Sequence, residues 1–301
     1  MPLVDPSDPR PVHFVGIAGA GMTALAELLH RRGTAVTGCD QQAGGAVDLQ
    51  ALGIPVHTGH DAQHIGGHRA LVVSSAVPLA HPELQAAHAA GIPVIRRAEA
   101  LADATAGGRL VGIAGTHGKT TTTVMTTEAL AAAGLDPTGV VGGRVSAWNG
   151  NLRRGGDGVF VVEADEYDRS FLALTPTVAV VTNLEADHLD IYRDLDDIRG
   201  AFAEFARPAR EVVVCADDAG ALSVPVPAPD RRWTYGVATA AGAARARLAA
   251  HDVVLDGAGA RFSVHLDGAP VGEVALAVPG LHNVRNALAA LGAGVALGLP
   301  V

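Results

Sequence analysis

Twice in the chain an apolar run of strand length breaks directly into a glycine-bearing turn and then into a helical pattern. The first is Val12-His13-Phe14-Val15-Gly16 running into Ile17-Ala18-Gly19-Ala20-Gly21-Met22, and the second is Leu110-Val111-Gly112-Ile113-Ala114 running into Gly115-Thr116-His117-Gly118-Lys119-Thr120-Thr121. A buried strand that feeds a helix through so short a turn belongs to a parallel sheet, because the helix is the crossover that brings the chain back over the sheet face. Composition agrees: 49% hydrophobic residues and 37 glycines suit buried strands joined by tight turns. The chain's 301 residues are enough for two such domains, each with its own core. An α/β fold follows, with a first domain at residues 1–105, a linker at Thr105-Ala106-Gly107-Gly108, and a second domain at residues 106–301.

The second turn carries the only lysine of the 22 cationic side chains; all the others are arginine. Where arginine fills every generic surface role, a single lysine between a tight turn and a threonine run points to a need for a compact ammonium charge. That is a phosphate-binding arrangement. Backbone N–H groups cradle phosphate oxygens, Lys119 reaches the β- and γ-phosphates, and the Thr120 hydroxyl serves Mg²⁺. The spacing is the short G-x-x-G-K-T, since Ile113 occupies the place of a further glycine.

The first turn resembles a dinucleotide-type βαβ opening. Gly16, Gly19 and Gly21 allow the turn, Ala18 takes the middle glycine position, and Asp40 ends the next strand where it can meet a ribose or sugar hydroxyl or simply cap the strand. Taken alone, this opening also admits a dinucleotide oxidoreductase, but such an enzyme offers no explanation for Lys119, Glu163 or His188. Further strands are expected at Ala70 to Ser74 and Pro93 to Ile95, then near Gly139-Val140-Val141, at Val159 to Glu163 and at Val178 to Thr182. In an open α/β sheet ligands collect beyond the carboxyl ends of strands, so Glu163-Ala164-Asp165-Glu166 and Asn183-Leu184-Glu185-Ala186-Asp187-His188 should converge with Lys119. From about Arg231 to Val278 alternating short strands predict an antiparallel extension, and Pro279-Gly280 punctuates a last helix from about His282 to Leu297. Val224-Pro225-Val226-Pro227-Ala228-Pro229 is a surface connector.

A net charge of −9 disfavours a nucleic-acid surface, so anionic ligands must be held by local sites and cations. Cys39 and Cys215 form no C-x-x-C, the N-terminus lacks the pattern of a secretion leader, and no apolar run reaches membrane-spanning length. A soluble cytoplasmic protein is expected, with its oligomeric state open. His57, His60, His64 and His68 have i, i+4 spacings that invite a zinc reading, but Gly59, Gly66 and Gly67 argue against one continuous helix presenting them, and no zinc site is expected there.

Four segments together resemble the ordered motifs of the Mur ligases: Gly115 to Thr122, Glu163-Ala164-Asp165-Glu166-Tyr167-Asp168, Thr182-Asn183-Leu184-Glu185-Ala186-Asp187-His188-Leu189-Asp190, and Pro279-Gly280-Leu281-His282-Asn283-Val284-Arg285-Asn286-Ala287. They occur in family order over nearly the whole chain. The resemblance implies a Rossmann-like UDP-binding domain followed by a P-loop ATPase-type central domain with a parallel sheet and a small antiparallel extension. It implies ATP-dependent amide formation. The opening from His13 to Met22, with Ser74-Ser75-Ala76-Val77-Pro78, is similar to members that join L-alanine to the lactyl carboxylate of UDP-N-acetylmuramate in peptidoglycan precursor synthesis. A member that attaches a preformed tripeptide to the same sugar nucleotide, and a non-catalytic nucleotide or UDP-sugar binding module, stay open.

By resemblance, Gly115, Thr116, His117, Gly118, Lys119, Thr120 and Thr121 would bind ATP, and Asn283 and Asn286 would meet its adenine. Thr120, Glu163 and His188 would hold Mg²⁺. Lys119, Glu163 and His188 would carry the chemistry. Gly16, Ala18, Gly19, Ala20, Gly21, Met22, Asp40, Ser74, Ser75 and Ala76 would bind the UDP-sugar. The family's third, C-terminal domain has no counterpart before Val301, so the sequence reads as truncated and as supporting little turnover by itself. Structural alternatives exist for several positions: Glu163 as a first-turn acid of a helix, Asn283 as a helix cap, His188 as a loop residue, and Asp165, Glu166 and Asp168 as solvated acids.

Overall fold

The computed structural model describes residues 2–300 except 6, 227 and 239–245. Part of the Pro-rich connector, at Pro227, and part of the stretch after Arg231 therefore lie outside the described residues. The chain divides into two compact units: residues 1–106 with 140–153, and residues 107–139 with 154–301.

In the first unit the strands are β1 (Val12–Val15), β2 (Val36–Asp40), β3 (Val56–Thr58), β4 (Ala70–Val73) and β5 (Val94–Arg96). They form an all-parallel sheet in the order β3-β2-β1-β4-β5. Four helices accompany them: α1 (Ala20–Arg31), α2 (Val47–Ala51), α3 (Pro82–Ala89) and α4 (Arg97–Ala104). β1 and β4 are buried along their whole length, as strands covered on both faces must be. The strand-order reversal falls between β1 and β4, where such sheets open a crevice for ligands at the carboxyl ends.

The second unit begins with β6 (Arg109–Ala114) and α5 (Lys119–Ala132), followed in chain order by β7 (Thr138–Val145) and β8 (Gly150–Arg153), which mark the excursion to the first unit. It continues through β9 (Val159–Glu163), β10 (Val178–Val181), α6 (Leu195–Ala206), β11 (Glu211–Cys215), α7 (Ala219–Leu222), β12 (Arg232–Val237), β13 (Leu248–Leu255), β14 (Ala260–Leu266), β15 (Ala269–Leu276) and α8 (Leu281–Ala296). Its strand order is β15-β14-β13-β12-β11-β10-β6-β9. α6 illustrates how the sequence builds an element: Asp194 caps it by accepting from Asp197 N at 2.8 Å, and Ile198, Ala201, Phe202 and Phe205 recur on one face and are buried. Phe171 stacks on Phe205 and meets Phe202 edge-on, closing that side of the sheet.

The main division falls at 106/107, beside the expected 105/106, and residues 140–153 group with the first unit as well. There Arg144 ion-pairs with Asp48, and Asn151 Nδ2 donates to Ala20 O at 3.3 Å. The antiparallel extension is shorter than expected. β12 pairs in parallel with both β11 and β13, and only β13-β14-β15 is antiparallel. The chain between β11 and β12 contains α7, a crossover of the kind parallel pairing requires. As expected, the His57–His68 segment forms no continuous helix. β3 ends at Thr58, Gly59 takes φ +81°, and a 3₁₀ turn covers Ala62–Ile65.

Candidate functional site

β6 stops at Ala114 and α5 starts at Lys119, so the four residues between them must turn the chain from strand into helix. Two glycines make this possible. Gly115 has φ +146°, and a Cβ there would lie 2.0 Å from Thr182 Oγ1; Gly118, which caps α5, has φ +80°, and a Cβ would lie 2.9 Å from Asn286 Oδ1. The loop is braced from β10: Asn183 Oδ1 accepts from His117 N at 2.7 Å, and Asn183 Nδ2 and Thr182 Oγ1 both donate to His117 O, at 3.0 and 2.9 Å. The loop is thereby braced by side chains at the neighbouring strand end.

Lys119 Nζ turns back over this loop, donating to Gly115 O at 2.7 Å and to Glu166 Oε1 at 2.8 Å. Beside it, Thr120 Oγ1 donates to both oxygens of Glu163, at 3.0 and 2.9 Å. Glu163 ends β9, which runs parallel to β6, so strand register alone brings the carboxylate to the head of α5. His188 enters from the loop after β10 with φ +52°; its Nε2 lies 3.8 Å from Glu166 Oε1, and its ring meets Tyr167 edge-on. The expected convergence of Lys119, Thr120, Glu163 and His188 is therefore present, from three strand ends. Thr120 Oγ1 and the Glu163 oxygens are hard donors at one point, a set that fits Mg²⁺. His188 stands on the same side, joined to the group through Glu166.

Glu166 is not a solvated acid. It is 3% exposed, burial pushes its pKa up against the opposing pull of the Lys119 hydrogen bond, and its Oε2 is buried without a partner. Tyr192, whose hydroxyl donates to Glu166 O at 2.6 Å, is pushed up to about 12 by burial. The residue that holds the lysine was thus missed by reasoning from sequence, although it sits in a motif that reasoning singled out. No helix begins at Glu163, which is occupied by Thr120.

Past His117 and Gly118 the loop opens into a cleft of about 610 Å³, lined among others by Asn183, Asp217, Tyr235, His282 and Asn286, a size suited to a nucleoside. Asn283 and Asn286 lie on one face of α8 and are bonded to each other, Nδ2 of Asn286 to Oδ1 of Asn283 at 3.2 Å. Asn283 does not cap the helix: Gly280 does, and the Asn283 amide donates to Pro279 O. Asn286 Oδ1 accepts from Thr122 Oγ1 at 3.1 Å, tying α8 to α5. Asp217 and Arg285, 2.8 Å apart, form a wall of the cleft, and Asp217 lies outside every motif singled out from sequence. Cys215-Ala216-Asp217-Asp218 ends β11, so the strand-end rule that picked out Glu163 would have found it.

In the first unit Gly16 and Ser74 follow the carboxyl ends of β1 and β4, and Asp40 is the last residue of β2. Asp40 braces the glycine turn, accepting from Ala18 N at 3.0 Å and from Gln42 N at 2.9 Å. Gly19 caps α1, whose first-turn residues Ala20, Gly21 and Met22 carry the amides that favour an anion. Ser75 and Ala76 are exposed in the turn after β4.

Residues 11–109 match the family model "Mur ligase family, catalytic domain", and residues 113–294 match "Mur ligase middle domain". The chain belongs to the Mur ligase family. It is 43% identical over 297 residues to the UDP-N-acetylmuramate--L-alanine ligase of Salinispora arenicola, covering 96% of this chain and 57% of that protein. It is 44% identical over 296 residues to the ligase of the same name from Acidothermus cellulolyticus, covering 96% and 61%. Among solved structures it is similar to the UDP-N-acetylmuramate-alanine ligase MurC of Thermotoga maritima, with a TM-score of 0.83, 30% identity and coverage of 96% of this chain and 65% of that one. The UDP-N-acetylmuramate:L-alanyl-gamma-D-glutamyl-meso-diaminopimelate ligase of Neisseria meningitides gives a TM-score of 0.82, 29% identity and coverage of 97% and 95%. The chain spans about three fifths of the length of the curated Mur ligases it matches. Among the described residues no helix is long and apolar enough to cross a membrane.

Proposed function

We propose that the chain is the sugar-nucleotide and ATP-binding part of an enzyme that joins L-alanine to UDP-N-acetylmuramate. One observation supports this reading most: the only lysine, the Thr120–Glu163 pair and His188 gather at the mouth of a glycine cradle that opens on a nucleoside-sized cleft. The cytoplasm, where both nucleotides are available, is the compartment this reading requires.

The chemistry follows from charge. The lactyl carboxylate attacks the γ-phosphorus of ATP, the bond to the β-γ bridging oxygen breaks, and ADP leaves an acyl phosphate. The amine of L-alanine then adds to the acyl carbon, and phosphate departs as the amide forms with loss of a proton. Two anions must meet in the first step, so positioned cations carry the catalysis. Lys119 exchanges its Glu166 and Gly115 contacts for phosphate oxygens, while Asn183, bonded to the amide and the carbonyl of His117, holds the loop in shape beside them. Mg²⁺ would be held by Thr120 and Glu163, with His188 beside a second ion, and supplies neutralisation of charge on the transferring group. Asn283 and Asn286 orient the base.

Calorimetric titration of a non-hydrolysable ATP analogue tests the assignment. With the native chain, Mg²⁺ should strengthen binding on the order of tenfold or more, and E163Q should bind equally in Mg²⁺ and in chelator. A Mg²⁺ effect that survives E163Q would overturn it. A second reading replaces L-alanine by a preformed tripeptide, favoured by the nearly equal likeness to the Neisseria enzyme. Competition between L-alanine and that tripeptide for the chain loaded with UDP-N-acetylmuramate separates the two.

A further inference from the structure

Away from the nucleotide sites, the first unit buries an unusual set of groups. Among the described residues, one ligand atom each from His13, Cys39, His64 and Glu83 lie within 4.8 Å of one another, and His60, His81 and Glu83 form a second such group. His13 and Cys39 come from neighbouring strands, β1 and β2, on the same sheet face; His64 comes from the Ala62–Ile65 turn, and Glu83 from the first turn of α3. His13, Cys39 and the Glu83 side chain are fully buried, and the His64 side chain is 17% exposed. Among the described residues the ion-pair partners of Glu83 are histidines, His60 and His64. Its contacts are Cys39 Sγ at 3.0 Å, Asp61 N at 3.1 Å and His64 Nδ1 at 2.8 Å, with His60 Nδ1 at 3.7 Å.

We propose that His13, Cys39, His64 and Glu83 bind one zinc-class dication that ties β1, β2, the 3₁₀ turn and α3 together. Three observations converge on it. The first is distance. Tetrahedral zinc with ligands at about 2.0–2.3 Å separates them by roughly 3.3–3.8 Å, so side-chain adjustments of about an ångström close the set. The second is charge: binding converts the Cys39 thiol to a thiolate, its proton passing to water, and thiolate plus carboxylate offset the two positive charges of the ion, leaving a buried site neutral. The third is orientation. His13 Nδ1 is bonded to Thr37 Oγ1 at 2.8 Å, and Thr37 Oγ1 in turn to His68 Nε2 at 2.8 Å, while His13 Nε2 is buried without a partner. A histidine fixed by one nitrogen with the other unused is how proteins present a metal ligand. His57 stacks on His64 at 4.4 Å and steadies that ring as well.

A thiolate among imidazoles selects zinc or its neighbours over Mg²⁺, which separates this site from Thr120 and Glu163. Three of these four ligands come from outside the histidine-rich segment, so the glycines that interrupt that segment do not bear on the set. Cys39 also carries the glycine turn: its carbonyl accepts from Gly16 N at 2.9 Å and Ile17 N at 3.0 Å. An ion on its sulfur would stiffen the strand end from which the sugar-nucleotide turn hangs.

Co²⁺ titration of the chelator-stripped 301-residue chain, in excess Mg²⁺, tests the proposal. The expected result is one equivalent bound, with thiolate-to-cobalt charge transfer in the near ultraviolet and the intense visible bands of a tetrahedral ion, displaced by Zn²⁺, which also raises the melting temperature. C39S should lose the charge-transfer band and C215S keep it. H64N, a smaller perturbation should C39S fail to fold, should weaken binding on the order of 10²-fold. No stoichiometric Co²⁺ binding by a natively folded chain would overturn the proposal. So would a charge-transfer band that persists in C39S, or binding that is lost in H81A and unchanged in C39S.

Discussion

Lys119 is defined by what surrounds it: two loop carbonyls and one buried carboxylate, with two short bonds, to Gly115 O and Glu166, and a longer one of 3.4 Å to Thr116 O, all from a single nitrogen. A guanidinium presents a planar fork instead, so K119R should lose nucleotide affinity on the order of 10²-fold by calorimetry while keeping its fold; unchanged affinity would remove the lysine from the phosphate site. That this residue mattered was legible, because it is unique. That Glu166 holds it was not, since an acid in a loop gives no local sign of burial, and its 3% exposure depends on Tyr192 and on the turn after β9. Cys215 offers a pH test at the same scale. Burial pushes its thiol up to about 11, so at pH 8 its thiolate fraction is about 100-fold below that of an unperturbed thiol. In C39S its alkylation by iodoacetamide should be slowed at least that much relative to the urea-unfolded chain and should rise tenfold per pH unit up to about pH 11. Equal rates folded and unfolded would contradict its burial.

At the scale of elements, α5 is the informative case. A run of threonines is a poor helix former, since β-branched side chains lose rotamer freedom against the preceding turn. The helix persists because Thr122, Thr123, Thr126 and Thr127 are buried, and because Thr123 and Thr127 return their hydroxyls to the carbonyls of Lys119 and Thr123. Thr126 Oγ1 is buried without a partner, so T126V should stabilise the chain by about 1 kcal/mol in urea unfolding; destabilisation would mean the hydroxyl has a role that its surroundings do not reveal. Elements that announce themselves by apolar runs and glycine turns, such as β1, β6, β9, β10 and α8, were readable from sequence. The parallel pairing of β12 and β13 was not, because alternation specifies a half-buried strand without specifying its direction. The return of residues 140–153 to the first unit was likewise invisible, since it is set by contacts such as Asn151 to Ala20 O, distant in sequence.

At the scale of the whole molecule, each unit repeats one physical device: parallel strands whose carboxyl ends meet a glycine turn and a helix N-terminus. The proposed function assigns an anion site to each copy of the device: the second resembles a phosphate loop and the first a sugar-nucleotide turn. The reading fails if the first unit prefers a different nucleotide. Calorimetric titration of the chain with UDP-N-acetylmuramate, alongside UDP-N-acetylglucosamine and NADH, tests this most directly. Selective binding of the muramate, with one site per chain, is the predicted result; binding of NADH in its place, or equal binding of the two sugars, would contradict it.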